Sequence, residues 1–155
     1  MGEELTSISC HGTLVEVFGL GMLIQGDSGV GKSDCALGLI RRGHRLVSDD
    51  VVKITKQEGY LEGCSPELTR YHMEIRGIGI LNIMHLFGKN AVLSKIKIDL
   101  VTMLESADPE KKQDRCEILG VNLPLNFLYV TPDCDAVSMI EIFAVNCIKS
   151  KLHDN

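Results

Sequence analysis

A glycine-rich octapeptide, Gly26-Asp27-Ser28-Gly29-Val30-Gly31-Lys32-Ser33, lies near the start of the chain. This stretch, which we call the phosphate loop, matches every fixed position of the phosphate-binding pattern G-x-x-x-x-G-K-[ST]. Its glycines allow the backbone to curl so that successive N–H groups point inward and form a concave anion site. Lys32 would place a cation near the β- and γ-phosphates, and Ser33 would offer its hydroxyl to a magnesium ion. The eight residues are therefore predicted to bind a nucleoside triphosphate.

The segments on either side of the phosphate loop support this interpretation. The apolar run Met22-Leu23-Ile24 precedes the loop and is typical of a strand. Residues 33–42 follow as a predicted helix with one apolar face, which Gly43 would end. Such a helix directs its positive end at a bound phosphate. A glycine-rich turn that matched the pattern by chance would have no reason to lie between a strand and a helix.

Length and charge limit the kind of protein that the chain can be. With 155 residues, it is long enough for one domain with its own core. We predict a single domain over residues 8–155, preceded by a polar lead or cloning junction over residues 1–7. The net charge of −5 argues against broad binding to nucleic acid or to an anionic membrane. No apolar run is long enough to span a bilayer.

The six cysteines are scattered along the chain and include no C-x-x-C pair. No secretory signal precedes the first predicted strand. These features favour reduced thiols in a cytoplasmic protein. A metal cluster or a disulfide framework is the alternative.

Two adjacent carboxylates, Asp49 and Asp50, end the next predicted strand, residues 44–50. Because a strand, a helix and a parallel strand return the chain to the edge that it left, we expect this strand beside the one before the phosphate loop. Ligands bind at the carboxyl ends of such strands. The two carboxylates would then face the phosphates held by Lys32, where they could serve magnesium binding and acid–base chemistry. The alternative is a solvated acidic turn.

The rest of the chain alternates short strands and helices. Residues 73–80 combine apolar side chains with Glu74, Arg76 and two glycines, and such glycines mark a bulge or the close approach of a backbone or ligand. In an extended segment Glu74 and Arg76 would share one side, where an exposed ion pair is the plain structural interpretation. His11 could reach the phosphate end of the sheet. The other predicted elements are a strand over residues 8–18, a helix over 83–87, a buried strand over 96–104, a mobile loop over 105–117, a strand over 125–130 and a helix over 136–149.

Several segments together resemble the catalytic domain of HPr kinase/phosphorylase, the bacterial enzyme that phosphorylates a serine of the phosphocarrier protein HPr. The phosphate loop alone is common to many nucleotide-hydrolysing proteins, whereas Glu-Ile-Arg-Gly-Ile-Gly at this distance from it is far more specific. The resemblance covers nearly the whole chain from Ser9. The matching segments are Cys10-His11-Gly12, the phosphate loop, residues 42–50, Glu74-Ile75-Arg76-Gly77-Ile78-Gly79-Ile80, Asp114-Arg115 and the closing helix through Asn146.

The resemblance implies four catalytic residues. Lys32 would hold the β- and γ-phosphates of ATP. Asp50 would accept the seryl proton in the kinase direction and return a proton in the reverse reaction. His11 and Arg115 would stabilise charge on the transferring phosphoryl group. These roles meet the demands of phosphoryl transfer, which are in-line positioning, neutralised oxygens and a base at the attacking hydroxyl.

The resemblance also implies a metal site, a fold and an assembly. Ser33 and Glu74 would serve Mg2+, with Asp49 supporting the site. The expected fold is an α/β P-loop domain, with a mixed twisted sheet around the loop helix, similar to the nucleotide-binding core of phosphoenolpyruvate carboxykinase. Family members assemble as hexamers and use ATP, Mg2+ and HPr.

The sequence departs from the family in two ways. Full-length members carry an additional N-terminal domain, and this chain has no room for one, so we expect an excised domain or a short relative. A basic Val-Arg-Pro-Gly-Arg-Asn turn, linked to dephosphorylation in the family, is replaced here by Val130-Thr131-Pro132-Asp133-Cys134-Asp135. Loss of two arginines and gain of acidic residues would disfavour phosphoserine and inorganic phosphate. We expect kinase activity with weak or absent phosphorolysis. A small-molecule kinase and a non-catalytic nucleotide-binding module are the alternatives.

Overall fold

The computed structural model describes residues 6–107 and 113–153. Within these ranges the chain forms a mixture of strands and helices. The strands are β1 (Ser7–His11), β2 (Thr13–Val17), β3 (Leu20–Gly26), β4 (Arg45–Ser48), β5 (Val51–Lys56), β6 (Leu61–Cys64), β7 (His72–Ile75), β8 (Gly79–Asn82), β9 (Lys95–Glu105), β10 (Arg115–Ile118) and β11 (Val121–Tyr129). The helices are α1 (Lys32–Arg41), α2 (Ile83–Phe87) and α3 (Ala136–His153), with single 3-10 turns at Glu67–Thr69 and Lys89–Ala91.

Nine of these strands form one mixed sheet. Seven of them follow the order β1-β5-β6-β9-β3-β2-β4, and β11 pairs with β9 and carries β10 on its other side. The strand before the phosphate loop, β3, lies parallel to β9, and β9 lies parallel to β11. Strands β7 and β8 form a separate antiparallel hairpin. The predicted fold class, a mixed sheet around the loop helix, is confirmed.

The sheet bends where the strands of two neighbouring chain segments are interrupted at the same level. One segment runs through β1 and β2 with a break at Gly12, and the other runs through β4 and β5 with a break at Asp49 and Asp50. The two breaks are joined, because the Gly12 N–H donates to the Asp50 carbonyl oxygen at 3.0 Å. Beyond them the two halves of the sheet face each other so closely that a Cβ on Gly63 would lie 2.4 Å from Leu14 Cδ2. The bend therefore places residues 12 and 50 at one edge of the sheet.

Apolar side chains fill two cores, one on each face of the central strands. The first lies between the two halves of the bent sheet and contains Leu14, Leu23, Val47, Val52, Ile54, Leu61, Ile98, Val101, Leu123 and Leu125. The second lies beneath α1 and α3. Ile140, Ala144 and Cys147 of α3 are buried in this second core, and Val137 is partly buried against it.

The strand order differs from the sequence-based prediction in one respect that matters for the site. The prediction that β4 lies beside β3 is wrong, because β2 pairs with both of them and lies between them. Since β2 is antiparallel to both neighbours, β3 and β4 remain parallel and end at the same edge. The hairpin of β2 and β3 fills the position where a direct crossover would have placed β4. As a result, the start of β2 enters the site.

Two other predictions are corrected. The segment 73–80 is a hairpin and not one extended strand, since the Ile78 N–H donates to the Ile75 carbonyl oxygen at 3.0 Å and Gly77 has a φ of 84°. Arg76 therefore lies in the turn, and no salt bridge joins it to Glu74 in the described part of the chain. The mobile loop predicted over 105–117 ends earlier than expected, because β10 begins at Arg115. Its middle, residues 108–112, lies outside the described residues.

Helix α1, which begins in the phosphate loop, is held in place by α3. Arg42, the C-cap residue of α1, pairs with Glu141 at 3.1 Å, and His44 Nε2 lies 2.7 Å from the same carboxylate. One turn earlier on α1, a Cβ on Gly38 would lie 2.6 Å from Val137 Cγ2. A glycine at position 38 therefore sets how closely the two helices approach.

We predict different effects of Gly38→Ala on stability in two backgrounds. Overpacking against the stiff Val137 side chain costs about 1–3 kcal/mol, which exceeds the gain of about 1 kcal/mol from replacing glycine within a helix. In the native chain the substitution should therefore lower the free energy of unfolding by about 1 kcal/mol. In a Val137→Ala background the methyl group has room, and the same substitution should be neutral or stabilising. Urea unfolding of the four proteins measures this, and equal effects in both backgrounds would contradict the packing argument.

Candidate active site

The phosphate loop joins β3 to α1 as an open turn. Positive φ angles occur at Gly26 (149°), Gly29 (84°) and Gly31 (109°), a region that favours glycine. The Val30 N–H closes a turn on the Asp27 carbonyl oxygen at 3.2 Å. A Cβ at Gly26 would also lie 2.7 Å from the carbonyl oxygen of Leu104 on β9. The predicted strand, loop and helix are confirmed, and the glycines are explained by backbone angle and by the closeness of β9.

The Lys32 ammonium group spans the loop that precedes it. Its Nζ donates to the carbonyl oxygens of Gly26 at 2.7 Å and Asp27 at 3.0 Å. Residues 27–29 are exposed, so the concave side of the loop is open to a ligand. The cation and the N-terminal end of α1 therefore lie together, which is the arrangement that favours phosphate.

The Asp49 carboxylate is the centre of a buried hydrogen-bond group. Its residue is 7% exposed. The Thr13 hydroxyl donates to Oδ1 at 2.9 Å, and the Ser33 hydroxyl lies 2.9 Å from Oδ1 and 3.0 Å from Oδ2. The Glu74 backbone also hydrogen-bonds to this carboxylate. Burial raises the pKa of Asp49, and the hydrogen bonds from Thr13, Ser33 and Glu74 oppose that rise.

Asp50 has an unusual backbone conformation beside this group. Its φ is 70°, and the Val51 N–H donates to the Asp49 carbonyl oxygen at 2.8 Å, an i to i+2 bond of the kind found in γ-turns. The left-handed region is strained for a residue other than glycine, and such strain concentrates at functional sites. Asp50 is exposed. His11, the last residue of β1, is also exposed and pairs with Val51, so the two predicted catalytic residues are neighbours across the strands.

The hairpin of β7 and β8 lies next to the phosphate loop. Glu74 reaches Asp49 through its backbone, and its side chain is exposed. A guanidinium nitrogen of Arg76 lies 3.9 Å from where a Cβ on Gly29 would be. Sequence reasoning had assigned Arg76 no role beyond an ion pair. The signal that could have found it was the pair of glycines after it, which permits a turn that directs the arginine toward the loop.

Arg115 lies apart from the other predicted catalytic residues. It begins β10 and pairs with Pro124, whereas the phosphate loop starts opposite Leu104 at the far end of β9. Together with Lys97 and Lys151 it lines a cavity of about 500 Å3. The structure therefore does not bring Arg115 to the loop of its own chain, and its role remains a prediction.

The turn that departs from the family begins at the phosphate-loop end of the sheet. The Val130 N–H donates to the carbonyl oxygen of Glu105, the residue after the one opposite Gly26. Asp135 immediately precedes α3, and its carboxylate accepts from the Ser138 N–H at 3.1 Å and hydroxyl at 2.7 Å. These bonds lower the pKa of Asp135. This acidic residue therefore caps the helix, as the preference for Asp at N-caps predicts.

The donor atoms at the site fit a magnesium ion. The Ser33 hydroxyl, the Asp49 carboxylate and the exposed Glu74 carboxylate are hard oxygen ligands, which Mg2+ prefers. No lysine or arginine of the described residues pairs with the buried Asp49. Residues 6–107 and 113–153 also contain no group of three or more His, Cys, Asp or Glu residues that could hold a metal alone.

These features define an α/β domain with a P-loop nucleotide site. The sequence model described as HPr Serine kinase C-terminal domain matches residues 3–154. The chain is a member of this family, as the resemblance implied.

Named relatives agree with this assignment. The chain is 46% identical over 155 residues to the HPr kinase/phosphorylase of Thermoanaerobacter sp. (strain X514), covering 94% of this chain and 51% of that protein. It is 48% identical over 144 residues to that of Geobacillus thermodenitrificans, covering 88% and 47%. The chain thus spans about half the length of the curated relatives it matches. A solved structure, the Hpr(Ser) kinase/phosphatase from Coxiella burnetii, has a TM-score of 0.87 at 29% identity, covering 95% of this chain and 94% of that one.

We predict that Asp49→Asn leaves the protein without ligand at least as stable as the native chain at pH 7. A carboxyl group whose pKa is raised on folding destabilises the native state above that pKa, and this cost disappears below the unfolded value of about 3.9. The asparagine oxygen can still accept the two hydroxyl hydrogens that reach Oδ1. The free energy of unfolding in EDTA should equal the native value or exceed it by about 1 kcal/mol, and the gain should fade toward pH 4. Urea unfolding at both pH values measures this, and a clear loss of stability at pH 7 would refute it.

Proposed function

We propose that this chain is an ATP- and Mg2+-dependent serine kinase domain that acts on the phosphocarrier protein HPr in the cytoplasm. One observation carries the proposal. The Asp49 carboxylate joins the Ser33 hydroxyl of the phosphate loop to the strand end that carries Asp50. This contact supports a nucleotide site next to the proposed base. Membership of the HPr serine kinase family supplies the substrate class.

The phosphate end of ATP would be bound by groups that are already in place. Loop N–H groups and the N-terminal end of α1 provide fixed dipoles, which cost no reorganisation during the reaction. Lys32 would leave the Gly26 and Asp27 carbonyl oxygens and contact the β- and γ-phosphates. Arg76, beside Gly29, would add a second cation above the loop.

Magnesium, when bound, would neutralise the phosphate oxygens and leave the phosphorus open to attack. Ser33 and Glu74 would hold the ion, and Asp49 would orient Ser33. Asp49 is buried and already accepts hydrogen bonds from the hydroxyl groups of Thr13 and Ser33. It is therefore suited to an orienting role. The exposed Asp50 is the better candidate for contact with a protein substrate.

Asp50 would act as the general base. In the kinase direction it would take the proton of the seryl hydroxyl while the oxygen attacks the γ-phosphorus and ADP leaves. His11, its neighbour across the strands, would stabilise charge on the transferring group. Arg115 would do the same only if its strand approached the loop or if another copy of the chain in the expected hexamer supplied it.

Phosphorolysis, in which inorganic phosphate attacks phosphoseryl-HPr, is proposed to be weak or absent. The turn from Val130 to Asp135 begins at the phosphate-loop end of the sheet but lacks the two arginines expected there. Asp135 is occupied as a helix cap, so the missing positive charge matters more than the added negative charge. Without arginine forks, a second phosphate group has fewer partners.

Incubation with labelled ATP and Mg2+, with and without HPr, tests the proposed activity. Label on HPr supports it. Label on a metabolite indicates the alternative of a small-molecule kinase, and binding without transfer indicates a regulatory module.

Asp50→Asn and Lys32→Ala should affect the reaction differently. Removing the base should lower transfer to HPr by about a hundredfold or more while leaving nucleotide affinity unchanged. Removing the lysine should weaken both nucleotide binding and transfer. Fluorescent-nucleotide binding and initial rates separate these effects. Unchanged transfer by the Asp50→Asn protein would show that Asp50 is not the base.

Restoring the arginines tests the proposal on phosphorolysis. With phosphoseryl-HPr and inorganic phosphate, the native chain should release pyrophosphate far more slowly than it phosphorylates HPr from ATP. Thr131→Arg combined with Cys134→Arg should raise pyrophosphate release with little effect on the ATP reaction. Thr131→Gln combined with Cys134→Gln serves as a control for side-chain size. Pyrophosphate release by the native chain at the forward rate would refute the proposal.

A further inference from the structure

Thr13 is a polar side chain in the site for which sequence reasoning predicted no role. It is the first residue of β2, directly after the break at Gly12, and it is 0% exposed. Its hydroxyl donates to Asp49 Oδ1 at 2.9 Å, the same oxygen that Ser33 reaches at 2.9 Å. Thr13 lies at the site because β2 lies between β3 and β4. Thr13 and Ser33 therefore contact one carboxylate from two different elements.

The hydroxyl groups of Thr13 and Ser33 differ in whether their lone pairs remain accessible to a ligand. A hydroxyl has one hydrogen to donate and two lone pairs to offer. Ser33 is only partly buried, so its lone pairs can serve a cation at the loop while its hydrogen is held by Asp49. Thr13 is fully buried and β-branched, so its side chain is restricted and points at Asp49 from within the sheet. Thr13 can fix the carboxylate but cannot itself contact a solvent-borne ligand.

We propose that Thr13 is a positioning residue for the magnesium site. By fixing Asp49 Oδ1, it keeps the carboxylate in the orientation that holds the Ser33 hydrogen and turns the Ser33 lone pairs toward the ion. This inference rests on the proposed nucleotide and magnesium site. Its measurable consequence is that Thr13 raises the gain in nucleotide affinity that Mg2+ provides, while contributing little to binding without the metal.

The experiment compares nucleotide binding with and without the metal. A fluorescent ATP analogue is titrated into the intact chain in EDTA and in excess Mg2+, and the ratio of the two dissociation constants gives the magnesium gain. Loss of an outer-shell partner lowers metal affinity by about 10–100-fold. Thr13→Val, which keeps the shape but lacks the hydroxyl, should lower the magnesium gain about tenfold and leave binding in EDTA unchanged. Thr13→Ser should restore the native gain.

Thr102→Val is the matched control. Thr102 is also 0% exposed in the same sheet, on β9, but its hydroxyl contacts the Met22 sulfur and no carboxylate. The same change of atoms there should leave the magnesium gain unaltered. A native gain in Thr13→Val, or an equal loss in Thr102→Val, would overturn the inference, because the hydroxyl bond to Asp49 would then have no specific effect.

Ser33→Ala separates failure of this inference from failure of the proposed site. If the serine variant loses the magnesium gain while Thr13→Val keeps it, the site stands and the role of Thr13 is refuted. If Ser33→Ala also keeps the native gain, the proposed metal site itself is refuted. Thr13→Ala serves as a second hydroxyl-free variant if Thr13→Val does not fold. Failure of both to fold would overturn the inference, since the fold itself would then require the hydroxyl.

Discussion

The buried carboxylate of Asp49 is the contact at which four parts of this chain meet. Asp49 directly follows β4, and its carboxylate receives hydrogen bonds from Thr13 on β2, Ser33 on α1 and the backbone of Glu74 on β7. A buried charge without partners would cost several kcal/mol, so these donors are needed for the local structure. The same bonds fix the phosphate loop relative to the acidic strand end. The arrangement of the site therefore depends on one group.

The site lies where regular strand pairing stops. Strand registers on either side of Gly12 and Asp50 are fixed by two separate ladders, β1 with β5 and β2 with β4. The strained backbone at Asp50 persists because these ladders hold both of its ends, and such strain requires support from surrounding structure. The sheet thus presents His11 at the end of β1 and Asp50 on a short irregular segment. This explains how two exposed side chains can have defined positions without being packed in a core.

The sequence predicted the parts of the site that depend on local spacing. The phosphate loop, its helix and the acidic pair follow from neighbouring residues, and all are present. Thr13 could not be found this way, because its role depends on β2 lying between β3 and β4, and strand order is set by contacts distant in sequence. Arg76 was misplaced because an alternating pattern with glycines fits both a strand and a hairpin. The position of Arg115 could not be predicted, since a family motif identifies a residue but does not show where the fold places it relative to the loop.

Reversibility limits the effect that the changed turn at Val130–Asp135 can have on phosphorolysis. Phosphorolysis of phosphoseryl-HPr yields pyrophosphate, so its reverse is phosphorylation of the serine by pyrophosphate and not by ATP. A turn that binds the extra phosphate poorly would weaken both directions of that couple together, because the overall equilibrium constant is fixed by the reactants. In the proposed ATP reaction the loop N–H groups, Lys32 and Asp50 would act, and none of them belongs to the turn. If the family's arginines act on phosphate binding rather than on proton transfer at the serine, their loss would weaken the proposed phosphorolysis and spare the proposed ATP reaction. The two proposed reactions would then diverge at the charge of the turn and not at the base.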